Sequence, residues 1–283
     1  MMRLDAATFL LQWATGGLGF LWVTSRRREV SLGYGWLLRA TFALLAAGGV
    51  AAGVSTRVVP VRETAAVGVS VSALAALGVS VVRRRAGVAG QRSRVERRSA
   101  RVAAMTGIDR VSTRFDDGPE FPALLDLAAP TIGVVGLVAA GLAAGGPDLV
   151  AVVRVLTGAA FLGAVTDAML LGHWYLVQPG LPRGPLLELV RWTGWLWPVE
   201  VAALLLPTGM LSVLSGTVDD GYRGILGWMW TTSALTTLGL VLVTRAALRE
   251  RQYAAVMAAT GLLYLAILTA FGTDLVARAV LAR

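Results

Sequence analysis

The chain has 283 residues, 56% hydrophobic and only 15% charged, against about 25% charged in a soluble domain. That is too little polar matter to cover a water-facing surface, and it places the protein in a membrane. The formal charge is +9, all the Lys and Arg positions are Arg, and there is no Cys, which excludes disulfides, thiolate metal sites and Cys nucleophiles.

A hydrocarbon core of about 30 Å needs about 20 apolar residues as helix. Eight stretches qualify: residues 6–24, 35–54, 64–82, 123–144, 149–177, 185–206, 225–244 and 253–271. The expected fold class is all-α, a polytopic integral membrane helix bundle of eight transmembrane helices. It divides into helices one to three over residues 1–82, a basic cytoplasmic loop over 83–122, and helices four to eight over 123–283.

The first span has membrane length and runs into Arg26, Arg27 and Arg28, so it reads as a membrane helix and not as a cleaved leader. Arginine concentrates in cytoplasmic loops. With the N-terminus outside, inner segments hold 17 arginines and outer segments six. This predicts a multi-pass protein of the cell (inner) membrane, with both termini outside and the loop from Arg83 to Arg114 facing anionic lipid. That partner suits clustered loop arginines better than nucleic acid does. Within the loop, residues 92–101 can begin a surface helix with Val95, Val102 and Met105 toward lipid. Residues 145–148 predict a tight turn between the fourth and fifth spans.

A faint repeat runs through the chain. Leu10-Leu11-Gln12 with Thr15-Gly16 parallels Val152-Val153-Arg154 with Thr157-Gly158, and Arg39-Ala40-Thr41 parallels Arg191-Trp192-Thr193. Four spans separate the copies, which would give a parallel four-plus-four repeat.

Polar residues inside spans are costly and need a use or a partner. Arg39 and Arg154 lie near span ends, where they can reach headgroups. Asp167 and Glu200 lie deeper. On consecutive helices they could share a proton or hold a cation, or each could be hydrogen-bonded and only lock helices together. Residues 166–185 hold the only His, His173, beside Trp174 and Tyr175. The proline-rich turn after them should pack the fifth and sixth helices as an antiparallel hairpin. That hairpin would gather His173, Glu188 and Arg191 near the inner surface. On the sixth span, Arg191 and Trp195 stand four apart, suiting a cation–π contact.

The candidate binding or proton-coupling residues are therefore Asp167, His173, Trp174, Tyr175, Glu188, Arg191, Trp195 and Glu200. No P-loop, dinucleotide fingerprint, zinc-protease motif or nucleophile elbow is present, so an enzymatic role is not favoured and no catalytic or metal residue is assigned. The leading expectation is a small-solute or ion transporter or channel with a polar site between helices five and six. One alternative is a membrane redox or anchor subunit binding haem or quinone near His173. Haem would need a Met or a second subunit as partner, since one His cannot supply two ligands. Another is a structural subunit of a larger membrane complex. A homo-oligomer or a partner membrane subunit is compatible with each.

Overall fold

The computed structural model describes residues 5–106, 115, 118–145, 148–178, 180–206 and 209–281. Within them the chain is all helix and turn: α1 (Ala6–Ser25), α2 (Leu32–Ser55), α3 (Pro60–Val82), α4 (Ala89–Thr106), α5 (Ala128–Ala143), α6 (Asp148–Val177), α7 (Gly184–Leu205), α8 (Met210–Leu214), α9 (Ile225–Ala247) and α10 (Tyr253–Leu281). The protein is a polytopic helix bundle. Seven helical segments are long and apolar enough to cross a membrane. The stretch expected as the sixth span forms a 22-residue helix, α7, which carries Glu188, Arg191 and Glu200 and is not among those seven.

Local signals set the ends. Asp5 caps α1 by accepting from the Ala7 N–H at 3.0 Å and from the Thr8 hydroxyl at 2.8 Å. Pro60 opens α3 and Pro185 stands in the first turn of α7, where a missing N–H costs nothing. Helix α10 runs ten residues past its expected end at 271, which brings Asp274 and Arg278 into the helix. The turn expected at 145–148 falls largely on residues 146 and 147, outside the described set, as do Arg110, Arg114 and Pro179.

Successive helices alternate between two faces, an N-terminal face holding Asp5 and an arginine face holding Arg26, Arg27 and Arg28. The loop is tied to the arginine face. The Gly90 N–H donates to the Arg28 carbonyl at 2.9 Å, and Glu120 bonds Arg92 and lies 3.4 Å from Arg28. Arg183, before α7, donates to the carbonyls of Arg251 and Gln252 at 2.9 Å each, so the α9–α10 turn lies on this face too. Helix α4 forms as expected, with no residue buried: Val95 and Val102 are half-buried and Met105 is exposed.

Helices α1 and α6 form the centre. Of their apolar stretches, 67% and 61% of residues are buried, against 28–39% in the other five. They cross at glycine. A Cβ on Gly16 would lie 1.8 Å from the Ala159 carbonyl oxygen, and one on Gly163 would lie 2.2 Å from the Gly16 carbonyl carbon. Small residues let membrane helices approach backbone to backbone. Around this crossing the halves share one neighbour order. In the first half α1 packs on α2, α2 on α3, α3 on α5 and α5 on α1; in the second α6 packs on α7, α7 on α9, α9 on α10 and α10 on α6. The paired residues of the sequence repeat do not share roles, however: Arg39 is buried and Arg191 is exposed.

Candidate functional site

Helices α6 and α7 pack as the expected antiparallel hairpin. Its register is set by Arg154, which is 4% exposed and does not reach for headgroups. It donates to the carbonyls of Ala203 at 2.9 Å and Leu206 at 3.1 Å, serving carbonyls that the end of α7 leaves without helical partners. Tyr175 closes the other end by donating its hydroxyl to the Pro182 carbonyl.

Glu200 sits opposite Thr157 in this register. Its side chain is fully buried, and its carboxyl oxygens make no hydrogen bond of normal geometry among the described residues, the donor beside them being the Thr157 hydroxyl, which turns to the Arg154 carbonyl at 3.3 Å. Asp274, Arg278 and Arg154 stand within electrostatic reach of it. Asp274 and Arg278 belong to a buried network that also includes Gln12. The Arg278 Nε–H donates to Asp274 Oδ2 at 2.6 Å, Gln12 Nε2 donates to Asp274 Oδ1 at 3.3 Å, and Arg278 Nη2 donates to the Gln12 amide oxygen. Gly158 makes room for the network, since a Cβ there would lie 2.4 Å from Gln12 Nε2. The network thus joins α1 to α10, packed against Gly158 of α6 and beside Glu200 of α7. Edge-to-face stacking of Trp13 on Phe271, with centroids 4.7 Å apart, holds α1 against α10 one level deeper.

Asp167 is also fully buried, with both carboxyl oxygens unpartnered among the described residues. Tyr34 donates to its main-chain carbonyl at 3.2 Å and leaves the carboxyl group alone. Asp167 and Glu200 do not share a site. Thr157, level with Glu200, is ten residues from Asp167, or about 15 Å along α6.

The inner cluster is not formed. His173 is exposed, and its Nδ1 meets the Tyr264 hydroxyl at 3.0 Å. Glu188 turns instead to Arg26, at 2.5 Å, and to Arg27. The two loop guanidiniums offer a closer charge match than His173, which projects from the other side of α6. Arg191 and Trp195 are exposed, and no cation–π contact joins them among the described residues. Trp174 and Tyr175 make their hydrogen bonds away from His173. Trp174 donates to Ser31 at 3.2 Å and Gln178 at 3.1 Å, while Tyr175 is buried on the turn. Among the described residues no group of three His, Asp or Glu side chains converges as a metal site.

Two further buried ion clusters replace expected surface arginines. Arg39 is 2% exposed and grips Asp126 with two bonds of 2.8 Å, while Ser25 donates to the same carboxylate at 2.8 Å. Arg62, also 2% exposed, bonds Asp5, Glu63 and Thr8. The sequence did carry a signal for Asp274 and Arg278. They are opposite charges four apart in an apolar run that continues through Leu275, Val276, Ala277 and Val280, which suits an ion pair inside a helix.

A cavity of about 330 Å³ opens beside the network on the N-terminal face. Asp5, Thr8, Thr56, Arg57, Arg62 and Arg278 supply its polar wall, and five alanines and two valines supply the rest. Since Asp5 and Arg278 line one cavity, both ends of the described chain lie on this face. No protein-family model, curated protein or solved structure matches the chain.

Proposed function

We propose that this protein moves a small solute or ion across the cell inner membrane, with Glu200 as the group whose proton or cation occupancy accompanies movement. The observation that carries the reading is the Glu200 carboxyl group, fully buried and without a hydrogen bond of normal geometry among the described residues, beside the Gln12–Asp274–Arg278 network. An ionised carboxylate without a partner in an apolar interior is costly, so such a group carries a proton or holds a cation. Glu200 lies five residues from the end of α7, about 8 Å from the N-terminal face. The neighbouring cavity supplies a route from that face to the network. In this account the arginine face is cytoplasmic, the termini are outside, and the Arg83–Arg114 loop lies against anionic lipid. Asp167 is a second carboxyl station deeper on α6.

The test is uptake into proteoliposomes from a panel of small carboxylates, amino acids, phosphate and monovalent cations. Glu200→Gln abolishes uptake of the solute that the native chain carries, and Arg191→Ala, on the exposed side of α7, leaves it intact. Equal uptake by native protein and Glu200→Gln would remove Glu200 from the account. A purely structural subunit gives a different result: no member of the panel enters, and Glu200→Gln lowers only the yield of folded protein.

The redox reading draws on one observation, the exposed His173–Tyr264 pair on α6 and α10. Its discriminator is the visible spectrum of the purified chain: a Soret band lost in His173→Ala favours haem.

A further inference from the structure

The N-terminal cavity has an uneven stock of hydrogen-bonding groups. Arg62 is saturated: its Nε bonds Glu63, its Nη1 bonds Asp5 and Thr8, and its Nη2 bonds Glu63 and the Arg57 carbonyl. Asp5 is occupied by Arg62, the Ala7 N–H and the Thr8 hydroxyl. The Thr56 hydroxyl donates to the Ala52 carbonyl at 2.7 Å. Two polar groups of the lining have no partner among the described residues. One is Nη1 of Arg278, a side chain only 1% exposed whose Nε and Nη2 are bound to Asp274 and Gln12. The other is the guanidinium of Arg57, exposed on the turn before α3. Both are cationic donors.

The buried guanidinium is held in place. Asp274 and Gln12 hold two of its nitrogens, and its carbon rests 5.7 Å from the centre of the Phe9 ring. A fixed guanidinium with a free N–H suits the oxygen of a carboxylate or phosphate, because charge-assisted bonds of this kind are short and directional. The remaining wall is small and apolar, formed by alanines such as Ala140, Ala144 and Ala151 together with Val59 and Val155. It leaves space for a body of a few carbon atoms and no further polar recognition.

We propose that this cavity binds a small oxyanion, carboxylate or phosphate, between Nη1 of Arg278 and the guanidinium of Arg57. That the oxyanion is also the transported solute rests on the transport reading above; the binding site does not. Its place beside Asp274 and Glu200 would let a bound anion compete for Arg278 and so alter the network that surrounds Glu200.

The test is equilibrium binding of pyruvate and of inorganic phosphate to the full chain in detergent, by calorimetry, with chloride at equal ionic strength as control. One of the two binds saturably, and which one identifies the oxyanion. Arg57→Ala, an exposed position, weakens that binding about tenfold, the equivalent of losing one charged hydrogen bond. Ala144→Phe fills the cavity without removing a charge and abolishes binding. Asp274→Asn with Arg278→Gln, which replaces the buried ions as a pair, abolishes it too. Absence of saturable binding by both anions overturns the assignment, as does binding that Arg57→Ala and Ala144→Phe both leave unchanged. Uptake of some other solute that depends on Glu200, with no oxyanion binding, overturns this inference and spares the transport reading. Oxyanion binding without any uptake does the reverse.

Discussion

Asp274 and Arg278 stand one turn apart on α10, joined at 2.6 Å, with side chains 0% and 1% exposed. Removing one partner of such a pair leaves an uncompensated buried charge and costs about 3–5 kcal/mol, whereas removing both charges costs far less. Arg278→Gln and Asp274→Asn should each lower thermal stability in detergent sharply. Asp274→Asn with Arg278→Gln should recover most of the loss. Additive losses around the cycle would mean that the two side chains do not interact.

The helix crossing makes a second prediction. Gly16→Ala drives a Cβ to within 1.8 Å of the Ala159 carbonyl, and backbone cannot yield as a flexible side chain does. Overpacking of this kind costs about 1–3 kcal/mol or more. Gly78→Ala, where no atom lies within 4 Å, should be neutral or slightly stabilising. The comparison is a pair of thermal unfolding curves. Equal melting points for the two variants would contradict the close α1–α6 crossing.

Much of the fold is legible because span length and apolarity answer directly to bilayer thickness. Less was legible about which arginines face water. Arg39 and Arg154 lie near span ends, and Arg62 and Arg278 count among the six outer-segment arginines, yet all four are buried. Arg39 and Arg154 find partners that are distant in sequence, Asp126 for Arg39 and main-chain carbonyls for Arg154, whereas Arg278 and Arg62 have acidic partners close by, Asp274 and Glu63. Periodicity within one helix carries no information on the distant partners. Glu200 stands out in the sequence as deep, and it is fully buried although only five residues from the end of α7, while its neighbours Asp274 and Gln12 do not stand out. Asp274 lay past the expected end of the last span, and Gln12 was read only as part of a repeat. His173 stood out because it is unique, but uniqueness does not turn a side chain inward.

The failed equivalence between Arg39 and Arg191 is itself testable. Arg39→Ala strands Asp126 in the interior and should cost about 3–5 kcal/mol. Arg191→Ala changes an exposed side chain and should stay within about 0.5 kcal/mol. Thermal stability in detergent decides the matter, and a loss on Arg191→Ala as large as that on Arg39→Ala would contradict the packing described.

Outside the spans, Asp220 organises the start of α9. Its carboxylate accepts from the main-chain N–H groups of Gly224 and Tyr222 at 2.8 Å each and of Leu226 at 2.9 Å. These donors, Gly224 first, hold its pKa below the ordinary Asp value. A depressed folded-state pKa contributes stability that is fully present above the unfolded value near 3.8 and is lost as pH falls through the folded value. Asp220→Asn should therefore lower stability at neutral pH and narrow its gap from the native chain below pH ~4. A gap that stays constant with pH would contradict the capping role.

The central claim is that Glu200 carries the ion or proton that accompanies movement. The most direct measurement is proton flux into proteoliposomes holding a pH-sensitive dye, under an imposed membrane potential and with the transported solute present. Solute-dependent acidification should occur with the native chain, disappear in Glu200→Gln and persist in Arg191→Ala. Full acidification by correctly folded Glu200→Gln would contradict the account.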